Sequence, residues 1–324
     1  MKEKIKVFIK KIKYNLYHLN KNINYIHDKS SKIRFLILLD IIWCRIRYRL
    51  TSNEYRIYEY YMIGAEKRNT YTNIRRHKSM EKFLYNKKIT NVISDKELFM
   101  LRFKDYLKRE VIDVNNLNFK QYEELCLKYK KLICRSSKNS FIKTYKVYNL
   151  DDYRSPAYMI DKIKKDKLVL IEKDFKQNKK LDDINSDLVL INVTTIFDKK
   201  PLILSSSIKF KEKEEIISGC INTNNGKIIG HLKDKDGKNY TYDFNGFEIP
   251  KYNEIIELSK VLAKEMEEIK EIEWSFAINN RGTVYLMDAN LYDDFVFAQT
   301  PEFLKNRIGF NSYYKSILKS YFDF

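Results

Sequence analysis

The stretch "IEWSFAINNRGTVYLMDAN" (272–290) ends in Asp288 and Asn290, two residues apart at the close of an apolar, aromatic-rich run. Alternation along a strand puts i and i+2 on one face, so a carboxylate and a carboxamide point the same way at the end of a hairpin. If Asn279–Gly282 form a four-residue loop, Ile278 pairs with Thr283 and Glu273 falls opposite Asp288. Glu273, Ser275 and Ala277 then share a face with Val284, Leu286, Asp288 and Asn290. Oxygen donors grouped as Glu273, Asp288 and Asn290 suit Mg²⁺, which is held by one or two carboxylates plus substrate phosphates. A solvated strand end has the same composition, and spacing leaves both open.

The elements that position such a group belong to a chain of 324 residues, long enough for about two domains. Apolar residues make up 44% and aromatic residues 14%, a globular balance despite the lysines. The four cysteines form no C-x-x-C pair, which points to reduced thiols in a cytoplasm and away from a disulfide framework or a thiolate zinc site. Apolar periodicity predicts helices in "ISDKELFMLRFKDYLKRE", where Ser94 and Glu97 have capping-box spacing, in "FKQYEELCLKYK", in "SPAYMIDKIKK" and in "NEIIELSKVLAKEMEEI". Strands are expected in "KLICR", ending at Arg135, and in "KLVLIEKDF", "SDLVLINVTTIF" and "PLILSSSIKF". Residues 216–248 hold five of the eight glycines and read as turn-rich. Helices and strands mix without strict βαβ alternation, so the expected class is α+β.

Net charge is +19, and residues 1–50 carry 13 Lys/Arg against 3 Asp/Glu, over half of the excess. Ile5, Phe8, Ile9, Ile12 and Leu16 recur at helical spacing among lysines, a basic amphipathic helix. Such a helix either docks on its own domain or meets anionic headgroups. Lysines interrupt any signal-peptide core, and "FLILLDIIWC" (35–44) is too short to span a bilayer. No zinc finger or RNA-binding signature is present, so nucleic acid is not an expected partner.

No Walker A, G-x-G-x-x-G, H-E-x-x-H or G-x-S-x-G pattern occurs, and no glycine lies between Gly64 and Gly219. The order of signals nevertheless resembles the ATP-grasp enzymes, in particular the sugar-transfer-associated ATP-grasp family of bacterial polysaccharide loci. Its closing signature, W-D-x-A-I, a glycine turn and E-x-N, is matched by Trp274-Ser275-Phe276-Ala277-Ile278, Gly282 and Asp288-Ala289-Asn290. "DFNGFEIPKYNEIIELSKVLAKE" is similar to its G-x-x-I-P stretch and following helix. "LVLIEKDFKQNKKL" resembles its E-x-x-I-x-Q strand through Glu172 and Gln177, and "ISDKELF" its N-D-K motif through Asp95 and Lys96.

That resemblance implies an ATP-grasp fold of two α+β lobes, 91–165 and 166–324, behind a helical, basic extension, 1–90. It implies an ATP site with Glu172 and Asp174 at the hinge, and Arg135, Lys143 and Lys146 on the phosphates. Arg135 and Lys209 are the catalytic cations, and Mg²⁺ sits on Glu273, Asp288 and Asn290. The implied activity is an ATP-dependent carboxylate–amine ligase working through an acyl phosphate. Its substrates are a small-molecule or sugar carboxylate and an amine, in a cell-surface polysaccharide or its precursor, in the cytoplasm or at the inner membrane face through residues 1–50. Departures from the family pattern are Ser275 for Asp, Asp288 for Glu, Arg135 for Lys, Thr195 for Arg, and a phosphate loop "RSSKNSFIK" without glycine. They leave a degenerate, non-catalytic relative that binds nucleotide or glycan as the alternative.

Overall fold

A computed structural model describes residues 2–108, 111–137, 141–168, 170–173, 176–213, 215–234, 237–291 and 297–319. The chain forms two compact units, Met1–Phe83 with Asp294–Phe324, and Leu84–Asp293. Residues 294–324, expected in the second lobe, thus group with the N-terminal helices.

The first unit is helical: α1 (Lys2–Ser30), α2 (Arg34–Tyr48), α3 (Ser52–Ile57), α4 (Ala65–Arg68) and α5 (Ile74–Leu84). The capping box that starts α3 is reciprocal, Thr51 Oγ1 accepting from Glu54 N–H at 3.2 Å and Glu54 Oε2 from Thr51 N–H at 2.8 Å. Ile23 and Ile26 of α1 and Ile37, Ile41 and Cys44 of α2 bury against Tyr55, Tyr58, Tyr60, Tyr61 and Tyr71. Buried tyrosine hydroxyls usually find partners; Tyr58 donates to Thr72 O at 2.9 Å and Tyr60 to Arg68 O at 2.6 Å. Gln299 ties in the far end of the chain, accepting from Thr72 N–H at 3.0 Å and Phe310 N–H at 3.0 Å. Ile5, Phe8 and Ile9 have side chains outside the described residues, while Ile12 and Leu16 are exposed; burial along α1 begins further on, at Asn22 and Ile23.

The second unit is built on two antiparallel sheets. The smaller has the order β1 (Val111–Asp113), β4 (Leu170–Lys173), β2 (Lys131–Arg135), β3 (Lys146–Asn149). β4 lies in this sheet, with Glu172 opposite both Ile133 and Val111, although its sequence position suggested the second lobe. Alternation turns Leu132 and Cys134 towards the helices Phe119–Tyr129 and Pro156–Lys165, whose Tyr122, Cys126, Met159, Ile160 and Ile163 make that core. Ile133 and Arg135 therefore face the other way.

The larger sheet has the order β10-β9-β5-β6-β7-β8, with β5 (Val189–Phe197), β6 (Pro201–Glu212), β7 (Glu215–Ile221), β8 (Ile228–Lys233), β9 (Glu271–Ile278) and β10 (Val284–Asn290). One face carries Ile191, Val193, Ile208, Ile272, Trp274 and Phe276 and packs on the helix Tyr252–Glu265 through Ile255 and Leu262, and on Phe99 and Phe103. Trp274 donates to Thr195 Oγ1 at 2.9 Å inside this core. The opposite face carries Leu190, Asn192, Lys209, Glu273, Ser275 and Ala277, on adjoining strands in register.

Candidate functional site

The hairpin β9–β10 does not have the register expected for a four-residue loop. Ile278 pairs with Val284, and the ladder shifts between Leu286 and Asp288, leaving Asp288 opposite Ser275 and Asn290 opposite Glu273. Val284 and Leu286 consequently belong to the apolar core with Trp274, contrary to the expected grouping. The shift is a β-bulge. One extra residue at Met287 reverses the alternation and brings Asp288 and Asn290 to the face of Glu273 and Ser275.

On that face two buried ion-pair groups lie on adjoining strands. Lys96 Nζ is 2.8 Å from Asp288 Oδ1, and it also donates to the carbonyls of Ala289 at 2.8 Å and Ile93 at 3.1 Å. Asp95 caps the helix Lys96–Arg102 by accepting from Glu97 N–H and Leu98 N–H, which fixes the start of the helix that carries Lys96. The cap is Asp95 and not Ser94. Arg135, at the end of β2, brings Nη1 to 3.8 Å from the same Asp288 oxygen, an ion-pair distance beyond hydrogen-bond length. Lys209 Nζ straddles both oxygens of Glu273 at 3.1 and 3.2 Å, and Asn192 Nδ2 donates to Oε1 at 2.7 Å. Lys96, Arg135, Lys209, Glu273 and Asp288 are each at most 4% exposed.

Beside this polar group the same face becomes apolar: Leu190, Ala277 and Met287 pack with Ile133, Ile142 and Tyr145. A cleft of about 340 Å³ opens next to it, lined among others by Ile133, Tyr145, Val147, Gln177 and Leu188. Gln177 is committed to the connection after β4, accepting from Val189 N–H at 2.6 Å and donating to Asn185 O at 2.8 Å.

Of the expected site residues, Arg135, Lys209, Glu273 and Asp288 are brought together, with Asn290 in register beside Glu273. Lys146 is not among them; its side chain is exposed and pairs with Asp166 at 3.0 Å. Asp174 lies outside the described residues, as do the side chains of Lys143 and Glu172. Lys96 and Asn192 were not on the expected list. The "ISDKELF" match was a signal for Lys96; Asn192 carried none.

The donor set does not fit Mg²⁺ as it stands. Both carboxylates are turned to ammonium or guanidinium groups of the chain, and among the described residues no group of three His, Cys, Asp or Glu could hold a metal ion. Desolvating five charges costs more than their attraction returns in most buried networks, so such a cluster is poor stabilising material. Among the described residues the group sets three cations against two carboxylates, and guanidinium and ammonium groups are the side chains whose donors match phosphate oxygens.

No family model and no curated protein matches the chain. Among solved structures, D-alanyl-alanine synthetase A from Vibrio cholerae is similar at a TM-score of 0.46 and 10% identity, over 71% of this chain and 65% of that one. D-alanine–D-alanine ligase from Bacillus anthracis is similar at 0.45 and 16% identity, over 78% and 76%. N5-carboxyaminoimidazole synthetase from Staphylococcus aureus, solved with ADP, is similar at 0.41 and 10%, over 63% and 45%. This chain thus spans less than two thirds of the first and third of these proteins.

Proposed function

We propose that residues 84–293 form an ATP-grasp-type, ATP-dependent carboxylate–amine ligase. The carrying observation is the face of the larger sheet, where an apolar strip (Leu190, Ala277, Met287) runs into a buried group of Lys96, Arg135 and Lys209 with Asp288 and Glu273. The cleft beside the strip, with Ile133, Tyr145, Val147 and Leu188 in its lining, suits an adenine, and the cations suit a triphosphate. A substrate carboxylate oxygen attacks the γ-phosphorus, the bond to the β-phosphate oxygen breaks, and ADP leaves with the electron pair. An amine then attacks the acyl phosphate carbon, phosphate departs, and the amine proton is lost. Arg135 and Lys209 stabilise charge developing on the phosphoryl oxygens. The proposed carboxylate and amine belong to a cell-surface polysaccharide or its sugar precursor. Contact of the basic first fifty residues with the inner membrane face completes the proposal.

Mg²⁺, implied by the resemblance, enters only by displacing Lys96 and Lys209 from Asp288 and Glu273. That requirement, with Ser275 in place of a ligand, favours a second reading: a nucleotide-binding relative without turnover. A thermal-shift titration with ATP, with and without Mg²⁺, on the wild type and on Lys209→Gln tests the first step. No ATP-dependent rise in Tm in the wild type overturns nucleotide binding. A rise without ADP release across mixed carboxylate and amine pools assigns the non-catalytic reading.

A further inference from the structure

We infer that α2 is an interfacial helix whose outward face enters the headgroup region of an anionic bilayer. Phe35, Leu36, Leu39, Ile42, Trp43 and Ile46 are 63, 55, 46, 45, 47 and 76% exposed. At about 100° per residue they fall within one sector of roughly 120°. Ile37, Ile41 and Cys44, on the other side of the helix, are buried in the tyrosine core, so the outward face is apolar by choice of residue and not by misplacement. Large exposed apolar patches mark interaction sites. The helix runs roughly 22 Å at 1.5 Å per residue, and no helix among the described residues is long and apolar enough to cross a membrane, so it lies flat.

Charge names the occupant. Arg47 borders the face, Arg34, Arg45 and the C-cap Arg49 are exposed elsewhere on the same helix, the one acidic residue of α2, Asp40, is taken by both guanidinium nitrogens of Arg68 at 2.7 and 2.8 Å, and residues 1–50 balance at +10. An apolar face with a tryptophan, on a helix with exposed arginines, is what an anionic lipid surface receives. A second copy of the chain would bring two such +10 segments together and is opposed by their repulsion. The inference deepens the membrane-side half of the proposal above and does not depend on its nucleotide chemistry.

The test uses the full chain without nucleotide and vesicles of phosphatidylcholine with or without 30 mol% phosphatidylglycerol (about the anionic fraction needed for a surface potential of tens of millivolts). Co-sedimentation is expected with the anionic vesicles only, weakening as salt rises. Brominated lipid is expected to quench Trp43 and spare Trp274, which is fully buried in the other unit. Leu39→Glu/Ile42→Glu changes two exposed side chains, and its Tm should stay within a few degrees of wild type while partitioning falls at least about tenfold. Equal binding to both vesicle types, or binding unaltered by the double substitution, overturns the inference. So does a wild-type dimer in light scattering that the same substitution makes monomeric with no vesicle binding, which assigns the face to a second copy. Because ATP is absent, failure here leaves the ligase proposal to its own thermal-shift result.

Discussion

Asp288 sits in a fully buried position with Lys96 at 2.8 Å and Arg135 at 3.8 Å, so removing the carboxylate takes this counter-charge from two buried cations. Breaking one side of a buried ion pair costs about 3–5 kcal/mol, whereas replacing the pair with apolar groups of similar volume is often close to neutral. Asp288→Ala should therefore lower Tm on the order of 10 °C, and Lys96→Met/Asp288→Leu should recover more than half of that fall. A double variant no better than the single one would mean that Arg135, and not Lys96, is the chief partner. Lys209→Gln should act differently. It keeps a donor towards Glu273 but leaves that buried carboxylate without this cation, so Tm is expected to fall by several degrees and ATP affinity to drop about tenfold (about 1.4 kcal/mol), read by titration well below the variant's transition. At this scale the sequence held the residue types but not the pairs. Lys96 and Asp288 both stood in recognisable motifs, yet nothing local couples side chains almost two hundred positions apart.

The bulge in β10 decides which side chains the hairpin offers. Regular alternation puts Asp288 with Leu286, which is buried against Trp274, and only the extra residue at Met287 turns the carboxylate to the Glu273 face. Deleting Met287 forces a choice between a carboxylate in an apolar core and a slipped strand, and either costs more than about 3 kcal/mol. The deletion should abolish soluble expression or cut Tm by on the order of 10 °C, while Met287→Leu, which keeps volume and count, should cost less than about 1.5 kcal/mol. Equal effects of the two would show that side-chain packing of Met287 matters and the bulge does not. The bulge was invisible in the sequence because "VYLMDAN" reads as unbroken alternation. The same limit hid β7 and β8: glycines in 216–248 signalled turns and masked the strands Glu215–Ile221 and Ile228–Lys233 between them. Long periodic helices and the strands β5 and β6 were legible, because 3.6- and 2-residue periods are local signals. The order of β4 between β1 and β2 was not, since strand order is set by long-range pairing.

At the scale of the molecule, the Leu84–Asp293 unit is continuous in sequence whereas the helical unit is assembled from both ends of the chain. Gln299 bonds Thr72 N–H and O and Phe310 N–H, and Arg307 meets Glu59 at 2.8 Å. A chain ending at residue 293 should leave the α1–α5 segment open to limited proteolysis while 84–293 survives as a fragment. Acid should act on the same unit. Burial raises Asp40, but hydrogen bonds from Arg68 and Tyr55 and the Arg68 charge outweigh it and hold the carboxyl below its ordinary value. Glu59 is likewise raised by burial and brought lower overall by Lys29 and Arg307. A carboxyl whose folded pKa is depressed adds stability above its unfolded pKa, near 4, and loses it as pH falls through the folded value. The helical unit should therefore weaken from about pH 4 downward. Lys29 is half exposed and Asp40 partly so, which screens these pairs and limits Asp40→Asn to about 1 kcal/mol at neutral pH. Tyrosines are shared between the units and Trp43 adds to the emission of Trp274, so peptide-resolved amide hydrogen exchange is the measurement that follows each unit by itself. Loss of amide protection in the helical unit below pH 4 ahead of any change in 84–293, with a flatter acid limb in Asp40→Asn, is the expected result. A common transition for both units, unmoved by Asp40→Asn, would place the acid-sensitive groups elsewhere.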